Sequence, residues 1–290
     1  NYPTSYWSQM SSILKYIDGR GGLAGKKIGF IYLDGGYGRE PIPLLEQLAP
    51  ELGFEVAMFP VAFKDSQNQS AQWLNVRKER PDWRIMWGWG AMNATAIKEA
   101  AKIRFPMDHF IGNWWASAHA DLVPVGEVGT GYIGSNFSGI GTDFPALQDI
   151  MKYVIEPGNS LADPSTVGNV LYNRGLYNAV IVAEAIATAQ KMTGKTVITG
   201  ADMRDGLENF VLDQARMAEL GLPGFAGDLK GDCKDHEGGG SVFMQQWDGS
   251  DWVKITDPIA PMADTVKPLL IDAAAKYVAD KPEWQTQTCN

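Results

Sequence analysis

Side chains able to do covalent or metal chemistry are few in this sequence and poorly spaced for it. Its three histidines, His109, His119 and His236, lie far apart, and no G-x-S-x-G motif offers a serine nucleophile to partner one of them. In "DHEGGG" the residues Asp235, His236 and Glu237 stand side by side. Adjacent side chains on a Gly-rich turn rarely converge on one ion, and no H-x-x-x-H reinforces them, so a structural turn is expected there and no metal. "LDGGYGREP" follows an apolar run and precedes a helical stretch, as a phosphate loop would. It matches neither G-x-x-x-x-G-K-[ST] nor G-x-G-x-x-G, so no nucleotide or other cofactor is expected. No enzyme signature survives.

Two cysteines, Cys233 and Cys289, are too few for a Cys-rich metal site. They are either free thiols in a reducing compartment or one disulfide tying the tail "QTQTCN" to the loop "LKGDCKDHEGGG". A tail is a poor place to bury a lone thiol, which favours the disulfide. Closing so long a loop stabilises a fold by about 4 kcal/mol on the chain-entropy account, and a disulfide places the chain in an oxidising compartment.

Aromatic residues are what the sequence concentrates. Ten tryptophans include Trp87 and Trp89 in "MWGWG" and the adjacent pair Trp114 and Trp115 in "HFIGNWWASAH". Side chains on an extended segment alternate faces, so an adjacent pair on a strand puts one ring in the core and leaves the other for a different task. Both groups fall at expected carboxyl ends of strands, as does Tyr37 in "LDGGYGREP". Open α/β sheets bind ligands at that edge. Glycines 36, 38, 88 and 90 open space beside the rings, and apolar walls with a few polar groups suit a small-molecule cleft.

The elements that must position these residues follow one grammar through the first two-thirds of the chain. "KKIGFIYLD" precedes "PIPLLEQLAPEL", "FEVAMFPVAF" precedes "SAQWLNVRKE", "DWRIMWGWG" precedes "NATAIKEAAKI", and "HFIGNWW" follows. Strands alternating with helices predict a doubly wound, Rossmann-like parallel sheet flanked by helices. Around "GTGYIGSNFSGIGTDFP" the grammar breaks, giving either a long loop or a strand crossing between domains. Longer helices follow, "FPALQDIMKYVI" and "VLYNRGLYNAVIVAEAIATAQKMTG" among them. Next come a hairpin turning on "DGSD" and a final helix in "MADTVKPLLIDAAAKYVAD". The 290 residues suggest about two domains. A net charge of -9 argues against nucleic acid, and no apolar run is long enough to span a membrane.

"KYIDGRGGLAGKKIGFIYLDGGYGREPIPLLEQLAPELGFEV", then "PDWRIMWG" and "AIKEAAKIRFPMDHFIG", resembles the periplasmic substrate-binding proteins of branched-chain amino acid and amide ABC transporters. "YNRGLYNAVIVAEAI" and "DCKDHEGGGSVFMQQWDG" resemble a subgroup of it. The resemblance spans essentially the whole chain and implies the two-lobed type I periplasmic-binding fold, α/β throughout. It also implies that the first lobe is incomplete at its amino-terminal side. Residues 5–137 with 241–265 form a nearly complete ligand-binding lobe, 138–240 the remainder of the other, and 266–290 a C-terminal helix and tail. It implies ligand contacts from Tyr37, from Trp89 (at or next to a family aromatic), from Asn113 and Trp114, and from Tyr172, Asn173 and Arg174 on a second-lobe helix. Trp114 stands where amino-acid-binding members carry an acid for the ligand's ammonium group. The expected ligand is a small aromatic or apolar carboxylate, amide or amino-acid-like molecule, the flatter and more apolar acids favoured over an α-amino acid, and one of Trp114 and Trp115 is wall while the other is core. Arg174 either pairs a ligand carboxylate or bridges the lobes. The function implied is a non-enzymatic periplasmic receptor handing its ligand to membrane ABC permease subunits. The alternative is a ligand-sensing regulator or receptor ectodomain of the same fold.

Overall fold

The computed structural model describes residues 3–281, 283–284 and 289. Its strands are β1 Lys27–Leu33, β2 Glu55–Val61, β3 Trp83–Trp87, β4 Phe110–Gly112, β5 Ile133–Asn136, β6 Val211–Leu212, β7 Leu229–Lys230, β8 Phe243–Trp247 and β9 Trp252–Lys254. Seven of them form one sheet in the order β2-β1-β3-β4-β5-β8-β9, while β6 and β7 pair separately. β1 to β5 run parallel. β8 runs antiparallel to β5 and forms a hairpin with β9 around Asp248–Asp251.

The alternation of side chains along β1 sorts the core into two layers. Ile28, Phe30 and Tyr32 pack on one face with Trp83, Ile85 and Trp87 of β3. Ile31 and Leu33 pack on the other with Met86, Phe110 and Trp73. Apolar residues on both faces are what a central parallel strand covered by helices requires. The order β2-β1-β3 reverses the direction in which the chain winds, so a crevice opens between the carboxyl ends of β1 and β3. Tyr37 and Trp89 follow those two ends.

The Gly-rich stretch, open between a long loop and a strand, supplies a strand, β5, inside the main sheet. One expectation changes. The Trp114–Trp115 pair is not on a strand. β4 ends at Gly112 and the chain turns at once into a 3-10 helix, Trp114–Ala116, because the Asn113 side chain accepts from the Trp115 backbone N–H at 3.2 Å. Strand alternation therefore does not govern the two rings. The helix Val170–Thr193 buries Val170, Asn173, Arg174, Tyr177, Ile181, Ala185 and Ala189 along one stripe, the three-and-four spacing of an α-helical face. Cys233 and Cys289 form a disulfide with their Cα atoms 5.7 Å apart. Among the described residues no helix is long and apolar enough to cross a membrane.

Candidate functional site

Rings from five separate segments meet at the carboxyl edge of the sheet. Tyr6, in the first turn of the helix Tyr6–Asp18, stacks on Trp114 with centroids 4.8 Å apart. It stands edge-on to Tyr37 at 5.2 Å and to Trp87 at 5.7 Å. Its hydroxyl accepts from Trp115 Nε1 at 2.7 Å. Trp89 lies 4.8 Å from Trp115 and 6.0 Å from Tyr37, and Trp114 is edge-on to Phe137 at 5.5 Å. A cavity of about 250 Å³ opens among Tyr6, Trp114, Trp115, Phe137, Arg174 and Asn178, closed on one side by residues 3–5.

Arg174 is the charged group of this cavity and is only 6% exposed. Its Nη2 donates to the Trp114 carbonyl at 3.0 Å and to Asn136 Oδ1 at 3.4 Å. The Trp115 and Phe137 rings lie 5.3 and 4.9 Å from the guanidinium carbon. Nε and Nη1 find no acceptor among the described residues. Burial pulls the pKa down to about 10, against the attraction of Asp121, so the group stays cationic at neutral pH. A buried cation with open donors beside apolar rings suits a planar anion.

Of the seven residues expected to contact ligand, the cavity takes in Trp114 and Arg174. Tyr37 stands behind the wall: its hydroxyl donates to the Gly88 carbonyl at 3.0 Å and accepts from Asn113 Nδ2 at 2.6 Å. Burial raises its pKa well above the ordinary tyrosine value, so it acts as a neutral hydrogen-bonding strut. Asn113 is fully buried, holding that strut and the turn that carries the tryptophans. Asn173 donates to the carbonyls of Gly139 and Gly141, fixing the loop after β5. Tyr172 packs at the margin of the core. Trp89 is 52% exposed and flanks Trp115 outside the cavity. Both Trp114 and Trp115 line the cavity, Trp114 as a buried member of the core and Trp115 half-buried against it. Tyr6 and Phe137 are lining residues the sequence did not mark, and Trp115 was marked only as one member of a pair.

Asp235, His236 and Glu237 turn to different partners: Lys267 Nζ, Glu208 Oε1 and Ser8 Oγ respectively. That disposes them as a structural turn.

A doubly wound α/β chain with an aromatic, arginine-bearing cavity at the carboxyl edge of its sheet, beyond β4 and β5, has the make-up of a small-molecule-binding protein. The family model described as "Periplasmic binding protein" matches residues 1–251, and the chain belongs to that family. A crystal structure described as an ABC transporter permease from the Pseudomonas fluorescens group is 39% identical, over 100% of this chain and 70% of that one, with a TM-score of 0.93. A branched-chain amino acid ABC transporter structure from Thermus thermophilus with bound valine is 18% identical over 92% of this chain and 68% of that one, TM-score 0.74. An ABC transporter solute-binding protein from R. palustris in complex with benzoate is 14% identical over 88% and 63%, TM-score 0.61. These last two likenesses are of fold alone. No curated protein matches the chain in sequence.

Proposed function

We propose that this chain is a non-enzymatic periplasmic receptor that captures a small aromatic or apolar carboxylate between Trp114 and Arg174 and delivers it to an ABC permease. The carrying observation is the buried Arg174 guanidinium with Nε and Nη1 open, set among aromatic rings. Both atoms are enclosed in this conformation, so a ligand oxygen reaches them as the cleft opens. On this reading residues 5–137 with 241–265 form one lobe, carrying the tryptophans. Residues 138–240 form the other, carrying Arg174, while 266–290 serve as helix and tail. Opening is then a hinge motion between the lobes.

Among the described residues lining the cavity there is no carboxylate. An α-ammonium group desolvated there would cost several kcal/mol (~3 or more) without an ionic partner. Valine in one structural neighbour and benzoate in another share a carboxylate. Only benzoate lacks the ammonium, and it is the better guide here.

Trp114, Trp115 and Trp89 sit within ring contact of one another or of Tyr6, so intrinsic fluorescence reads the cleft. Titration with benzoate and a panel of aliphatic and aromatic acids is expected to give a saturable change. Trp114→Ala should weaken it by about tenfold, the loss of one stacking face. If leucine saturates the signal and no simple carboxylate does, the ligand class proposed here is wrong.

A further inference from the structure

We propose that the opposite, amino end of the sheet carries a second binding site, where Arg77, Arg80, Arg84 and Arg104 receive a phosphate-bearing anion. These four arginines line a cavity of about 410 Å³ together with Phe105 and Asp82. In a chain of net charge -9 such a concentration of one sign is not a by-product of composition. Repulsion among like charges opposes it unless something neutralises them.

Arg84 sits on β3 and is 3% exposed, facing the Trp73 layer where its strand neighbours are apolar. Its guanidinium carbon lies 3.4 Å from the Phe105 centroid and 4.8 Å from that of Trp73. Those rings cover the faces of the guanidinium, whereas its N–H donors lie in the plane and need acceptors at the edge. Nε and Nη1 have none among the described residues. Burial lowers the pKa to about 9, with no carboxylate opposing the shift. The acid at the cavity, Asp82, is turned away: Oδ2 accepts from the Lys27 backbone N–H at 2.8 Å and Oδ1 faces Lys26 Nζ at 4.0 Å.

The other three arginines are exposed, and none forms an ion pair among the described residues. Arg80 and Arg104 also hold the left-handed backbone, at φ 48° and 56°, where glycine would be unstrained. Both end a helix and lead the chain back toward the amino edge of the sheet, so the fold accepts that cost twice at one cavity. A tetrahedral dianion with several acceptor oxygens matches four guanidinium groups better than a single carboxylate does. Arg84 is enclosed in this conformation, so an anion reaches its edge only where the cavity lining, Phe105 included, yields. A soluble phosphate and an anionic lipid headgroup present this same chemistry.

The test is calorimetric titration of the purified chain with inorganic phosphate and with pyrophosphate, at an ionic strength matched by chloride. Flotation with phosphatidylglycerol or phosphatidylcholine vesicles runs in parallel. The variant is Arg80→Gly with Arg104→Gly, which keeps the fold because glycine prefers those dihedrals. Lys98→Ala with Lys191→Ala removes the same charge elsewhere. Saturable pyrophosphate or phosphate binding, weakened at least about tenfold in the arginine variant but not in the lysine control, supports the site with a soluble ligand. Flotation with phosphatidylglycerol alone, lost in the same variant, supports it with a lipid headgroup. Absence of both, or an arginine variant binding within about twofold of wild type, overturns it.

Discussion

Gly38→Ala is expected to lower the urea midpoint of unfolding well below that of wild type, whereas Gly36→Ala, two residues earlier in the same turn, should behave as wild type. A Cβ at position 38 would stand 1.9 Å from the Leu33 carbonyl oxygen, 2.8 Å from its carbon and 3.0 Å from its nitrogen. All three are backbone atoms of Leu33 at the end of β1, held by its pairing with Val61 of β2, so no flexible side chain can give way. Relief requires the turn 36–39 to lift off the strand. Overpacking of this kind costs about 3 kcal/mol or more, a large part of a stability that rarely exceeds ~15 kcal/mol. At Gly36 an added Cβ meets nothing within 4 Å. The turn also carries Tyr37, whose hydroxyl joins Gly88 to Asn113, so folded Gly38→Ala protein should lose cleft binding too. Urea unfolding followed by circular dichroism separates the cases. A Gly38→Ala midpoint indistinguishable from that of Gly36→Ala would show that the turn is not packed as described.

The same turn shows what the sequence could and could not disclose. The β1 pattern "KIGFIYL" is apolar on both faces and so announces a central parallel strand. With the helical stretches between strands it made the doubly wound sheet legible, and the switch-point edge with it. The role of Trp115 was not legible, because it depends on where β4 stops. Continued extension would have sent the two rings to opposite faces. The strand stops at Gly112, where an added Cβ would lie 2.0 Å from the Tyr132 hydroxyl and 2.6 Å from the Ala116 carbonyl oxygen. Tyr132 and Ala116 meet there only in the folded chain. Tyr6 was hidden for a similar reason, since it meets Trp115 across 109 positions of sequence. Nothing in the sequence marked Arg84, and only the folded chain places Arg77, Arg80 and Arg104 around it. Local patterns therefore disclosed strands and their edges, while the composition of each cavity waited on long-range contacts.

Replacing Asp121 with Asn is expected to remove a pH-dependent weakness from the fold. Asp121 is 7% exposed, and burial raises its pKa from 3.8 to about 6 despite hydrogen bonds from Asn93 Nδ2 and the Ala118 backbone N–H. The folded state thus keeps this proton at pH values where the unfolded chain has released it. Well below pH 4 both states are protonated and the residue adds no penalty. As the pH rises from about 4 to 6 the unfolded chain gains an ionisation that the folded chain resists, so stability falls. Above about pH 6 the full penalty, about 3 kcal/mol, is present. Asparagine does not titrate, and any fixed cost of its rearranged hydrogen bonds is the same at every pH. The difference in unfolding free energy between wild type and Asp121→Asn, measured in urea from pH 4 to 7.5, should therefore shift in the variant's favour by about 2.5 kcal/mol across that range. Parallel curves would mean that the carboxylate is solvated or more closely paired than the structure shows. The position has a tie to the cleft as well. Asn93 Nδ2, which donates to Asp121 Oδ1 at 2.9 Å, also donates to the Trp115 carbonyl at 2.7 Å. An ionised Asp121 fixes that amide, and with it the turn holding both tryptophans. Asp121→Asn should accordingly bind the cleft ligand more weakly even at pH 7.5, where it gains relative stability. A variant stabilised in this way with unchanged ligand affinity would assign Asp121 to the fold alone.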